Sequence, residues 1–170
     1  LGGLYFFSLP FKQTYQHLIT TFQDKSKYPL FISTDLEGCV NMLESVQTFP
    51  YANQIQTPEE AYRVGLEMGT LLQELGFNLD LAPVLDLEDT IWHCRSYYGS
   101  VEEVSAKATG LVQGLHAQGI FATAKHFPGR TLNTLDTHKE QASAEIVEQD
   151  LFPFDYLITQ GVDFVMINHL

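Results

Sequence analysis

Three times along the chain a run with helical periodicity ends in glycine, and a short, nearly continuous apolar run follows at once. The glycines stand at 76, 119 and 161, at almost equal spacing, and open the apolar runs 76–83, 119–126 and 161–169. Glycine is the usual residue just past a helix, where the backbone turns left-handed. Short apolar runs without polar alternation read as strands buried on both faces of a parallel sheet. The helices ahead of them carry start signals. Thr57-Pro58-Glu59-Glu60 offers an N-cap, a proline at the first helical position and a reciprocal glutamate. Ser100-Val101-Glu102-Glu103 is a second capping box, and Val104, Ala108, Leu111, Val112 and Leu115 then form one apolar stripe. Asp150 is expected to cap a third helix, with Pro153 in its first turn and its end before Gly161. Two further strands are expected over 3–7 and 30–34, with a helix over about 12–22 between them.

Strands alternating with helices make βα units around a parallel sheet. Five such units follow in order. An open dinucleotide-binding sheet would carry G-x-G-x-x-G after its first strand, and none is present. The expected fold is therefore α/β, part of a (β/α)8 barrel.

Composition narrows the classes of function. The chain has 170 residues, 45% of them hydrophobic and 18% charged, enough for a packed core and unlike a disordered segment. A formal net charge of -12 argues against binding a phosphate backbone, so no nucleic-acid partner is expected. No apolar run approaches the ~20 residues of a membrane span. The start, Leu1-Gly2-Gly3-Leu4, has neither an initiator Met nor a basic leader. The expectation is a cytoplasmic domain cut from a longer chain at both ends, with 1–170 as one partial catalytic barrel domain. Cys39 and Cys94 fall in no CxxC or zinc-ligand spacing, and neither a disulfide framework nor a structural metal is expected from them.

In a parallel barrel the C-terminal strand ends share one face, where chemistry is assembled. Those ends here carry Asp35-Leu36-Glu37-Gly38, Asp86, Lys125-His126 and Asn168-His169, and the loops add Arg95, Asp136 and His138. Each alone has a bland explanation as a turn cap or a satisfied core residue. Together they bring enough charge to one rim that desolvation would oppose the arrangement unless a ligand meets it.

Lys125-His126-Phe127-Pro128-Gly129 with Asp136-Thr137-His138, the upstream Asp35-x-Glu37-Gly38, the strand ending in Asp86, and Arg95-Ser96-Tyr97 resemble glycoside hydrolase family 3. The likeness is greatest to its bacterial β-N-acetylglucosaminidase branch. The resemblance implies a retaining hydrolase of terminal β-linked N-acetylglucosamine, acting on peptidoglycan-type fragments without a cofactor or metal. It implies His138 as acid/base with Asp136 as its partner, and Asp35, Arg95, Lys125 and His126 as binders of sugar hydroxyls. Asp86 is expected to support them. It also implies that the chain holds the second to sixth of eight strands, with the nucleophilic aspartate following the seventh, outside this segment. Three places depart from the family pattern. Arg130-Thr131-Leu132 replaces His-Gly-Asp, Gly38-Cys39-Val40 replaces Gly-Gly-Arg, and His93-Cys94 replaces Gly-Glu.

Two other readings compete. An inactive sugar-binding or structural remnant of the same fold would account for the substituted loop. A Schiff-base enzyme built on Lys125 would use a lysine at a strand end, but leaves Arg95 and the Asp136/His138 pair without a role.

Overall fold

A computed structural model of the chain describes residues 2–87, 93–129 and 147–168. Five strands alternate with four helices: β1 (Gly3–Tyr5), α1 (Lys12–Lys25), β2 (Phe31–Thr34), α2 (Pro58–Leu75), β3 (Leu79–Asp80), α3 (Val101–His116), β4 (Phe121–Phe127), α4 (Glu148–Thr159) and β5 (Phe164–Ile167). All pairings are parallel, and the sheet order is β1-β2-β3-β4-β5. A doubly wound sheet would reverse its order at a switch point. An order that only advances is that of a barrel, so the chain forms a five-stranded arc of one. Among the described residues, no helix is long and apolar enough to cross a membrane.

The local signals act as expected in α2 and α3. Thr57 Oγ1 accepts the Glu60 N–H at 3.1 Å, Pro58 opens α2, and Gly76 closes it at φ 95°. Ser100 and Glu103 exchange side-chain and backbone bonds at 3.3 and 2.7 Å ahead of α3. Helix α1 runs three residues past its expected end, to Lys25. In α4 the expectation fails. The helix begins at Glu148, so Asp150 occupies its third position rather than the cap, and Pro153 falls in the second turn. The Asp150 carboxylate reaches back to accept the Val147 N–H at 3.3 Å.

β3 is shorter than the apolar run 76–83 suggests. The chain stays extended beside β4, with Ala82 O and Pro83 O accepting from Thr123 and Lys125 at 2.9 and 3.1 Å. Pro83 has no N–H to return, and this interrupts the ladder. Pairing resumes at a bridge between Val84 and Lys125.

The helices cover one face of the arc. Ile32 and Thr34 of β2 and Ala122 and Ala124 of β4 point to that covered face and are buried. Alternation sends Phe31, Ser33, Phe121 and Lys125 to the opposite, inner face. There Phe31, Phe121 and Phe164 meet edge to face, with ring centroids 5.4 to 6.1 Å apart.

Helices α2 and α3 approach unusually closely, backbone against backbone. A Cβ on Gly114 would lie 2.3 Å from Tyr62 O and 2.6 Å from Leu66 N. Gly114→Ala would gain about 1 kcal/mol of helix propensity. Parting two backbones costs more, in the ~1–3 kcal/mol range of overpacking and toward its upper end. The expected outcome is a net loss on the order of 1–2 kcal/mol, read by denaturant unfolding of this domain in the full-length protein. A stabilised variant would refute the close approach.

Candidate active site

The inner face at the C-terminal strand ends holds a connected set of charges. Lys125, near the end of β4, is buried, and its ammonium reaches across β3 to the segment after β2. There Nζ lies 2.5 Å from Asp35 Oδ1 and 2.5 Å from Glu37 Oε1. Arg95, in the turn before α3, grips the same glutamate with Nε–Oε2 at 2.6 Å and Nη2–Oε1 at 2.8 Å. Tyr5, at the end of β1, donates its hydroxyl to Asp35 Oδ2 at 2.6 Å. Two carboxylates thus face two cations in one chain of hydrogen bonds.

Burial alone would discharge these groups, and their partners prevent it. Burial pushes the Glu37 carboxyl up, but the Lys125 charge and the Arg95 bonds outweigh it and hold it below the ordinary glutamate range. Burial pulls the Lys125 ammonium down, and Glu37 and Asp35 return it above the ordinary lysine value. Arg95 is likewise lowered by burial and raised by Glu37, with a net rise. Burial, then the bond to Asp35, raises the Tyr5 hydroxyl so that it remains a donor. A lysine held protonated has no lone pair for a carbonyl carbon, so the Schiff-base reading of Lys125 loses its chemical basis.

A second pair stands beside the first. The Asp86 carboxylate is fully buried and meets His126 Nδ1 at 2.7 Å, fixing the ring. Ser96, next to Arg95, donates to Asp86 O at 2.6 Å. Asp35 and His126 keep 20% and 16% of their side chains exposed, whereas Lys125, Glu37 and Arg95 are almost closed off. The arrangement has two tiers: Asp35 and His126 reach the open rim, and Glu37 and Asp86 hold the groups behind it. Such fixed, charge-assisted donors and acceptors suit a neutral, polyhydroxylated ligand.

Of the residues singled out in the sequence, Asp35, Arg95, Lys125 and His126 come together, with Asp86 in support. Asp136, His138 and His169 lie outside the described residues. Glu37 is the centre of the network, although sequence reasoning assigned it no role beyond its motif. Its signal was its place two residues after Asp35, at a strand end and in phase with it. Asp80 was missed as well. Its Oδ1 accepts the Leu36 N–H at 3.1 Å, anchoring the backbone between Asp35 and Glu37.

The two cysteines require a correction. Cys39 and Cys94 form a disulfide across 55 residues, with Cα atoms 5.6 Å apart. Sequence spacing could not disclose it, because the proximity arises from neighbouring strand-end loops on one rim.

Asp80 also yields a test. Burial raises its carboxyl well above the ordinary aspartate value, which favours the protonated form in the folded protein. For such a group, stability is fully present below the unfolded pKa, about 4, and falls as pH rises toward the folded value. Asp80→Asn keeps the shape and stays neutral. Its melting temperature relative to the native protein should therefore rise from pH 5 to pH 8; a constant difference would contradict the assignment.

The model of the "Glycosyl hydrolase family 3 N terminal domain" matches residues 1–170. A beta-hexosaminidase of Histophilus somni is 34% identical over 192 aligned positions, covering 100% of this chain and 55% of that protein. The chain thus spans about half the length of the curated relatives it matches. Among solved structures, a family 3 β-N-acetylglucosaminidase from Paenibacillus sp. superposes with a TM-score of 0.92 at 31% identity, covering 99% of this chain and 36% of that one. NagZ from Neisseria gonorrhoeae, in complex with N-trifluoroacetyl-D-glucosamine, gives 0.89 at 27% identity, covering 99% and 56%. Matched along its whole length, the chain belongs to the glycosyl hydrolase family 3 N-terminal domain.

Proposed function

We propose that the protein containing this domain is a retaining glycoside hydrolase that removes terminal β-linked N-acetylglucosamine from peptidoglycan-type fragments. The observation that carries the reading is the Asp35–Lys125–Glu37–Arg95 network with His126 beside it. It offers a neutral sugar fixed acceptors and donors at a rim whose ion pairs are complete before the sugar arrives. Names of relatives support the same class: beta-hexosaminidase for proteins about a third identical, and a complex with a glucosamine derivative for the Neisseria neighbour.

In this reading Asp35, Arg95, Lys125 and His126 hold the sugar hydroxyls, and Glu37 and Asp86 keep them in place. His138, oriented by Asp136, protonates the leaving oxygen and then activates water. An imidazole titrates near neutrality, which suits both roles. Retention also requires a carboxylate that attacks the anomeric carbon. We assign it to the part of the longer protein that follows this domain. As to compartment, a disulfide persists where thiols are not kept reduced. The Cys39–Cys94 bond therefore favours an oxidising location over the cytoplasm that the sequence suggested.

The test uses the full-length protein and an aryl β-N-acetylglucosaminide. Hydrolysis is expected, with His138→Ala lowering kcat by about 10²–10⁴-fold, the range of general acid–base catalysis. Native-like rates in that variant would reject the assigned acid/base. Sugar binding without turnover by the native protein would instead leave a binding remnant of the fold. Arg95→Ala should act mainly through KM and should also destabilise the domain, because the buried Glu37 carboxylate loses one of its two cations and keeps only Lys125. An unchanged KM would remove Arg95 from the sugar clamp.

A further inference from the structure

The disulfide lies beside the most heavily bonded part of the candidate site. Cys39 follows Glu37 by two residues, and Cys94 immediately precedes Arg95. The two residues that form the bidentate ion pair are therefore flanked by the two residues that form the cross-link. No cysteine remains free. Both cysteines stand where the sequence departs from the family pattern, one in each loop. Their pairing adds a covalent tie at the place where the ion network joins loops from different βα units.

We propose that Cys39–Cys94 is a positioning cross-link of the sugar clamp: it holds the loop after β2 against the loop before α3, so that Glu37 keeps its bidentate grip on Arg95. The inference rests on the reading of this network as the clamp. Among the described residues, few other hydrogen bonds join the two loops. Within its own loop, Glu37 donates its N–H to Val40 O at 2.8 Å, and Leu36 bridges Asn41. The Arg95 turn is tied by Ser96 to Asp86, on a different strand end. Between the two loops stand the Glu37–Arg95 ion pair and the disulfide. An ion pair tolerates angular drift at a cost in each hydrogen bond, whereas a disulfide fixes the separation of two backbones. Glu37 also holds Lys125, so drift of this loop reaches Asp35 through a shared ammonium. Both cysteines are partly accessible, which places the bond within reach of a small reductant.

The test applies a dithiol reductant to the folded full-length enzyme. The Sγ–Sγ bond takes up two electrons and two protons to give two thiols, while the reductant closes to its own cyclic disulfide. Thiol counting by alkylation and intact mass should find no free cysteine at these positions before reduction and two afterwards; free thiols at the outset overturn the proposal. Loss of about one charge-assisted hydrogen bond corresponds to roughly a ten- to hundredfold loss of affinity. Reduction, and the Cys39→Ser/Cys94→Ser pair, should therefore raise KM, or the Kd for N-acetylglucosamine by calorimetry, by that order. The kcat should change far less, and reoxidation should restore the native enzyme. Cys39→Ser alone should show the same KM and no further response to reductant. An unchanged KM on reduction overturns the proposal, as does global unfolding, which would make the bond a staple of the whole fold. Two controls separate this inference from the functional reading. If Arg95→Ala leaves KM unchanged, the clamp itself fails; if Arg95→Ala raises KM and reduction does not, only the cross-link fails.

Discussion

The ammonium of Lys125, held between Asp35 and Glu37, is the interaction on which the rest of the site depends. Removing such an ion from water costs several kcal/mol unless its partners are well placed. Here the partners come from the end of β2 while the lysine comes from β4, so the contact must pass over β3. That reach exists only because three parallel strands hold one register. Removing one partner leaves a buried charge only half compensated, which is why this network is also a structural constraint on its own barrel.

From that contact the site grows outward in two directions. Glu37 passes the constraint to Arg95 through two short bonds, and Asp35 passes it to the Tyr5 hydroxyl at the neighbouring strand. The His126–Asp86 pair stands next to it with its own buried carboxylate. The ionic partners are satisfied before any ligand binds, so a sugar would meet fixed dipoles and would not have to reorganise them. Preorganisation of this sort costs little at the moment of binding.

Much of this was legible in the sequence, and for local reasons. The glycines at 76, 119 and 161 announced the helix-to-strand turns because a left-handed residue is needed there, and each has positive φ. Strand ends in a parallel sheet share a face, so Asp35, Lys125 and His126 were brought together by topology alone. What escaped the sequence was non-local. Glu37 acquires its importance from Arg95, 58 residues away, and Cys39 finds Cys94 across 55. Asp150 illustrates a smaller failure. Its cap-like chemistry is real, but it acts from inside the first turn, one helical position pattern among several that the same residues satisfy.

In the proposed function these charged groups hold the hydroxyls of a sugar. The most direct measurement compares kcat/KM of the full-length protein for an aryl β-N-acetylglucosaminide with its analogues singly deoxygenated at C3, C4 or C6. A site built to bond a hydroxyl rejects the analogue that lacks it, because buried charges then lose a partner. A fall of at least about a hundredfold is expected for one or more of the three. Equal kcat/KM for all three analogues and the parent would contradict it.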